Sequence, residues 1–414
     1  MSISSIKNYT ENSNHTCACA SAVHWMGRQL TYIPGLLCEQ GAKIFRPLKP
    51  GFQDQGSTAL IEVCYRVLRI LLVALLLLSL PLGIIGGCLR TVANVWRRDF
   101  TFIHPAVSTP LQTRINQINI RTFNAAMMPE FICIANGVRP TRQRIKELAE
   151  ILLQKEDDVV CLQELFETEV NDYLAEQLKE KFPYIICNVE HRTLGIGSGL
   201  MIASKYPIED AQFWKHDDCG GYDELANKGT LAVKIKPTAD QTVLIFTTHL
   251  NAGADSTDLF PEGHKSYRES QLSQLKIQVE DYIEKTMQES PTIPHVILTG
   301  DYNIGPLAPK RDAKGKRTEG AQPDVEWTAL KEVMDPLISD EYEGTTCFDL
   351  AKDHRAGWDR SKLASWKCVP ECIDHIGVPN TSKMIQSVEL ISRTIDPMHG
   401  TSDHLAVAAS FKLS

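Results

Sequence analysis

Val296-Ile297-Leu298-Thr299-Gly300-Asp301-Tyr302-Asn303 is the stretch that decides how the rest of this chain is read. It opens as a short apolar run, the signature of a strand buried on both faces. Gly300 ends the wall of side chains, and a carboxylate and an amide follow two residues apart. In an extended backbone those two project from the same face. Gly-Asp-x-Asn by itself is also the composition of a turn. Four companions strengthen it: Gln163-Glu164, Thr248-His249, Ile373-Asp374 and Ser402-Asp403-His404, each beside an apolar, strand-like run.

Working outward, strands are expected at 118–124, 159–164, 184–189, 199–203, 230–235, 243–249, 373–378, 386–392 and 404–411. Helical spacing of apolar residues marks 142–154, 168–181, 266–287 and a segment near 324–338. Strands and helices alternate, and several strands are adjacent in sequence. That pattern predicts an α/β protein in which two packed sheets are covered by helices. The basic loop 309–320 reads as a solvated lid or disordered segment, and 339–371 as a long polar connection. The chain has 414 residues, a net charge of -8 and 12 scattered cysteines. The charge argues against a nucleic-acid partner. The cysteines read as mostly reduced thiols.

The N-terminal hundred residues differ in kind. Residues 1–16 are polar, with glycosylation-type triplets at Asn8 and Asn14. Residues 17–38 suit a membrane interface or a small buried helix. From Ile70 to Leu89 there is no charged residue, which just meets the roughly 20 residues needed to cross a bilayer. Arginines flank both ends, and Pro81, Gly83, Gly86 and Gly87 interrupt the second half. The favoured reading is a kinked, in-and-out insertion rather than a full span, with the flanks against anionic lipid. The expected organisation is a membrane-associated domain over 1–100, a linker over 101–117 and a catalytic domain over 118–414.

Five strand ends thus supply two histidines, several carboxylates and two asparagines. That set needs no thiol or serine nucleophile. It suits metal-assisted attack of water on a phosphodiester, with two imidazoles moving protons near neutral pH. Glu164 is the best single candidate for a Mg2+ ligand, with Asn124 close by.

These motifs resemble those of the endonuclease/exonuclease/phosphatase superfamily over residues 118–414. The resemblance implies a DNase I-like four-layer α/β sandwich. Within it, Cys161–Glu167, Gly197–Ile208, Asp223–Gly229, Thr248–Ala252 and Gly400–Val407 are similar to segments of neutral sphingomyelinases that carry an N-terminal hydrophobic domain. The resemblance implies hydrolysis of sphingomyelin to ceramide and phosphocholine with Mg2+, for which Mn2+ could substitute. It implies that Glu164 binds the metal, that Asn124 lies near the phosphate and that Asp301 and Asn303 orient water and phosphate. His404 would be the general base held by Asp374, Asp403 would support the metal site, and His249 would protonate the ceramide alkoxide. Asp223 and Lys228 match a pair thought to switch a loop between blocked and open. The family likeness also implies contact of residues 61–98 with anionic phospholipid, and a catalytic domain facing the cytosol at the Golgi or the inner plasma-membrane leaflet. A homodimer is open. Two family features are missing: a long insert before the Gln-Glu strand, and clustered cysteines before the Ser-Gly-Leu motif. Cys64 and Cys88 remain candidate acylation points. A nuclease or inositol-polyphosphate 5-phosphatase of the same fold, or an inactive membrane scaffold, are the alternatives.

Overall fold

The computed structural model describes residues 18–45, 58–105, 115–129, 133, 139, 141–190, 196–252, 263–311, 317–337, 372–396 and 398–413. The triplets at Asn8 and Asn14 and the polar stretch 339–371 lie outside them. Two helices come first, α1 (Ala18–Phe45) and α2 (Thr58–Asn94). A seven-stranded sheet is built from β1 (Thr101–Ile103), β2 (Gln117–Asn124), β3 (Val159–Gln163), β4 (Tyr184–Cys187), β5 (Met201–Ser204), β14 (Val388–Asp396) and β15 (Ala406–Leu413). Its order is β1-β4-β5-β3-β2-β15-β14. A six-stranded sheet is built from β6 (Ile208–Lys215), β7 (Gly229–Ile235), β8 (Val243–His249), β9 (His295–Asp301), β12 (Met334–Asp335) and β13 (Asp374–Pro379). Its order is β12-β13-β9-β8-β7-β6.

The two sheets stack face to face. Ile118, Ile120 and Val159 from one and Leu231, Val243, Ile245 and Ile297 from the other share one buried core. The opposite face of the first sheet is covered by α3 (Thr141–Gln154) and α4 (Thr168–Leu178) through Leu148, Leu152 and Leu174. The opposite face of the second is covered by α5 (Gly263–Glu289) and α6 (Glu326–Val333) through Leu272, Leu275, Ile283 and Leu330. The architecture is the expected four-layer α/β sandwich. Alternate residues of β8 show the cause: Val243 and Ile245 face the sheet-sheet core while Leu244 and Phe246 face α5, the period of an extended strand buried on both sides.

At the centre of each sheet lies one parallel pair. β2 runs beside β3 with Asn124 opposite Gln163, and β8 beside β9 with His249 opposite Asp301. β13 enters antiparallel, so that Asp374 also sits opposite Asp301. Parallel pairing brings carboxyl ends of strands to one edge. The site motifs are therefore gathered by topology.

Three expectations are corrected. The linker expected at 101–117 contains strand β1, which pairs with β4, and Phe100, Phe102 and Ile115 are core residues. Two prolines, Pro105 and Pro110, hid a short edge strand there. The loop expected at 309–320 carries both arms of a hairpin, β10 (Leu307–Arg311) and β11 (Arg317–Pro323). Basic residues mask the alternation that would have signalled it. Finally, α2 runs unbroken through Pro81. Gly83 and Gly86 do not interrupt it, and they admit α1. A Cβ on Gly86 would stand 2.7 Å from the Gly27 carbonyl oxygen, and one on Gly83 would stand 3.2 Å from the Pro34 ring. Arg66–Asn94 is long and apolar enough to cross a membrane. Leu71, Leu75, Leu77, Leu78 and Ile84 are among the large apolar side chains it exposes.

Near the site edge the filling between the sheets turns polar. The Gln163 amide donates to Thr122 Oγ1 at 3.0 Å in its own sheet and to Thr247 Oγ1 at 2.9 Å in the other. Gln163 is fully buried, so this cross-sheet pair of bonds has no water to replace it. Gln163→Leu should lower the unfolding free energy by about 1–3 kcal/mol, read as a lower urea midpoint at unchanged slope.

Candidate active site

Asn124 ends β2 and bridges the sheets. Its amide donates to Glu164 Oε1 at 2.9 Å and to Asp301 Oδ2 at 2.8 Å, and its own Oδ1 accepts the Ala126 N–H at 3.0 Å. Glu164 follows β3 in a left-handed conformation, with φ of 62°. Few residues other than glycine and asparagine adopt that region without cost. The turn is held from below, where the Asn171 amide donates to the carbonyls of Leu165 (2.6 Å) and Glu167 (3.0 Å). Gly300 has φ of 145°, and a Cβ there would fall 2.2 Å from the Thr248 carbonyl oxygen. Only glycine lets β8 and β9 approach this closely. Beyond it, Asp301 Oδ1 accepts the Asn303 N–H at 2.9 Å, and the Asn303 amide donates to the Leu250 carbonyl at 3.2 Å.

Two imidazoles flank one oxygen of Asp301. His249 Nε2 lies 3.5 Å and His404 Nε2 3.9 Å from Asp301 Oδ2. His404 Nδ1 is bonded to Asp374 Oδ2 at 2.8 Å, which fixes the ring. His249 Nε2 is 3.0 Å from Lys228 Nζ. That ammonium is fully buried and also donates to the Leu250 carbonyl at 2.8 Å and pairs with Asp223 at 2.9 Å. Asp223 in turn accepts the Ala252 N–H at 2.6 Å. Ser402 Oγ donates to the Asn124 carbonyl at 2.7 Å and lies 3.2 Å from Asp403 Oδ1. All ten residues singled out from the sequence are thus within one connected neighbourhood.

The electrostatics are those of crowded, desolvated acids. Burial, then Asp403, pushes Glu164 up to about 7. Burial, then Asp374, pushes Asp301 up to about 6. Burial alone would lower His404, but Asp374, Asp301 and Asp403 outweigh it and hold the imidazole well above its ordinary range. Burial and the Lys228 ammonium hold His249 well below it. His216, bonded to Thr248 Oγ1 at 3.3 Å, is driven down to about 3 by burial and Lys228.

Acids that can ionise only at a cost are the usual setting for a cation. The donors are carboxylate oxygens, which suit a hard divalent ion. Ligand atoms of Asp301, Asp374 and His404 also lie within 4.8 Å of one another. The short His404–Asp374 bond, however, marks those two as an oriented imidazole and its anchor. Glu164, which Asn124 joins to Asp301, is the carboxylate better placed to hold an ion.

Several supporting residues were not legible in the sequence: Asn171, His216, Arg268 and Arg144. Arg268 forks onto Glu326 at 2.9 and 2.6 Å and reaches the Asn251 carbonyl at 3.2 Å. Arg144 carried one usable signal. It shares the buried stripe of α3 with Thr141, Ile145, Leu148 and Leu152, a charge where helical spacing calls for an apolar residue.

Comparison with known proteins agrees with this geometry. Residues 117–404 match the Endonuclease/Exonuclease/phosphatase family. Sphingomyelin phosphodiesterase 5 of Mus musculus is 25% identical over 282 residues, which cover 56% of this chain and 56% of that protein. Sphingomyelinase C of Bacillus cereus is 33% identical over 168 residues, 37% of this chain and 47% of that protein. The chain therefore spans about half the length of these curated relatives. Among solved structures, sphingomyelinase C from Streptomyces griseocarneus shares the fold with a TM-score of 0.50 at 17% identity, covering 72% of this chain and 99% of that one. The match runs through every motif from Asn124 to His404, and the chain belongs to the endonuclease/exonuclease/phosphatase family.

Proposed function

We propose that this protein is a Mg2+-dependent phosphodiesterase that cleaves sphingomyelin to ceramide and phosphocholine at a membrane surface. The observation that carries the reading is the placement of His249 Nε2 and His404 Nε2 at 3.5 and 3.9 Å from Asp301 Oδ2, beside the Asn124-bonded Glu164. In-line displacement at phosphorus needs a base on one side and an acid on the other, and two imidazoles beside one carboxylate support that reading. The sphingomyelin phosphodiesterases among the relatives support the substrate.

Mg2+, held by Glu164 with Asp403 in support, would neutralise charge on the phosphoryl oxygens. Asn124 would face the phosphate, and Asp301 and Asn303 would orient it and the attacking water. His404 is the general base, its ring aimed by Asp374. His249 is the general acid that protonates the departing ceramide alkoxide. Without a cation, Asp374, Asp301 and Asp403 favour protonated His404 while burial and the Lys228 ammonium keep His249 neutral, the reverse of what these roles need at the start. Neutralising Glu164 and Asp301 lowers the pull on the His404 proton. The Lys228 ammonium stands 3.0 Å from His249 Nε2, and its pairing with Asp223 sets where that ammonium rests.

The N-terminal helices would hold this site at the headgroup plane. A bound enzyme meets its lipid substrate at a high effective concentration, and Arg66, Arg69 and Arg98 would add attraction to anionic phospholipid. The catalytic domain would then face the cytosol, at the Golgi or the inner plasma-membrane leaflet.

The deciding experiment offers the purified protein sphingomyelin, phosphatidylcholine, inositol phosphates and DNA, with and without Mg2+. Phosphocholine is expected, chiefly from sphingomyelin. Glu164→Ala and His404→Ala should each cost roughly 10^2–10^4 in rate. DNA cleavage without lipid hydrolysis overturns the reading. A second measurement removes residues 1–95, which spares Phe100 and β1. Hydrolysis should fall far more on vesicles than on detergent-dispersed sphingomyelin; equal losses would assign those residues to folding. A third uses melting curves. Glu164 and Asp301 titrate above their ordinary values, so the cation-free fold gains from their bound protons at low pH and loses that gain as pH rises through about 6 to 7. Protons and Mg2+ compete for the same oxygens. The Tm increase on adding Mg2+ over EDTA should therefore be larger at pH 8 than at pH 5.5.

A further inference from the structure

We infer that Arg144 is a positioning residue for the phosphodiester-cleaving site, clamping together the two turns that carry Asn124 and His404; the inference rests on the proposed function. Its guanidinium is fully buried. It is bonded to backbone carbonyls: Nη1 donates to Ala125 at 3.0 Å and Thr401 at 2.7 Å, Nη2 to Ala126 at 2.6 Å, and Nε to Arg139 at 2.8 Å. Nη2 also approaches Cys133 Sγ and Thr141 Oγ1, each at 3.4 Å.

Three of those carbonyls, those of Ala125, Ala126 and Thr401, belong to two segments 275 residues apart in sequence (401 − 126), and the fourth, that of Arg139, lies just before α3. Ala125 and Ala126 follow Asn124 directly, and Thr401 precedes Ser402-Asp403-His404. Ala126 has φ of 50°, a left-handed conformation that an alanine adopts only when held. Two bonds hold it, the Arg144 fork on its carbonyl and Asn124 Oδ1 on its N–H. Ser402 Oγ joins the same two turns from the other side.

The choice of residue follows from the acceptors. A planar fork with fixed N–H directions can meet carbonyls from two chains at once, and an ammonium cannot match that geometry. Outer partners that orient active-site groups typically cost 10–100-fold when removed, and reaction rates are sensitive to misplacement on the order of 1 Å. A structural role alone predicts lost stability. A positioning role predicts lost turnover in protein that remains folded.

The test compares Arg144→Lys and Arg144→Met with the full-length protein. Turnover is measured on sphingomyelin in detergent and on bis(4-nitrophenyl) phosphate, folding by thermal melt, and the His404 ring by its resonances in histidine-labelled protein. Expected are a fall in kcat of about 100-fold with KM within about threefold, and a shifted His404 resonance, in whichever variant remains folded. The lysine variant should recover part of the lost rate relative to methionine. A folded variant with wild-type kcat and an unmoved His404 resonance overturns the inference. So does a loss of activity in both variants that tracks the unfolded fraction. If the wild-type protein hydrolyses neither ester, the proposed function fails, and the His404 resonance still decides whether Arg144 sets the ring.

Discussion

The Asn124 amide, shared between Glu164 and Asp301, is the interaction on which this structure depends. Each carboxylate ends a central strand of a different sheet. Without a shared donor they would repel one another across a desolvated gap. With it, the edges of the two sheets meet at one point. The apolar core sets the spacing of the sheets, and the parallel pairs at their centres bring the strand ends to a common edge. The fold builds the crowded acids that a cation is suited to relieve.

The same logic of one group serving two partners recurs where the helical hairpin joins the sandwich. Glu169, in the first turn of α4, pairs with Arg28 of α1 at 2.8 Å and with Arg90 of α2 at 3.4 Å. Burial would raise its pKa, but the two arginines hold it below the ordinary carboxylate range. Arg97 donates to the neighbouring Thr168 at 2.9 Å, and Arg142 of α3 stacks 5.3 Å from the Tyr32 ring. The hairpin is docked through helices that flank the Glu164 turn, so the orientation of the apolar helix and of the active site are set together.

How much was readable in the chain differs by kind of feature. Strands with β-branched runs, such as β8 and β9, and helices with regular apolar spacing, such as α3 and α5, were located to within a few residues. Their period is a local property. The gathering of Asn124, Glu164, His249, Asp301, Asp374 and His404 was expected because each lies at a strand terminus. The edge strand β1 and the β10–β11 hairpin were missed. Both are short or polar, and their stability comes from neighbours far along the chain. The glycines in α2 were read as interrupting it because a small residue signals a break and a close helix contact equally well; only α1 revealed the contact.

Residue types and their periodicity therefore determined the layers of this protein, the strand ends that carry its chemistry and the apolar character of its N-terminal segment. Tertiary structure alone decided that Lys228 rests on His249, that Glu164 and Asp301 titrate near neutrality, and that Arg144 ties two remote turns together. The reason is physical. Periodicity follows from backbone geometry within a few residues, whereas proton affinity and hydrogen-bond partnership depend on which charges and carbonyls lie nearby once water has been excluded.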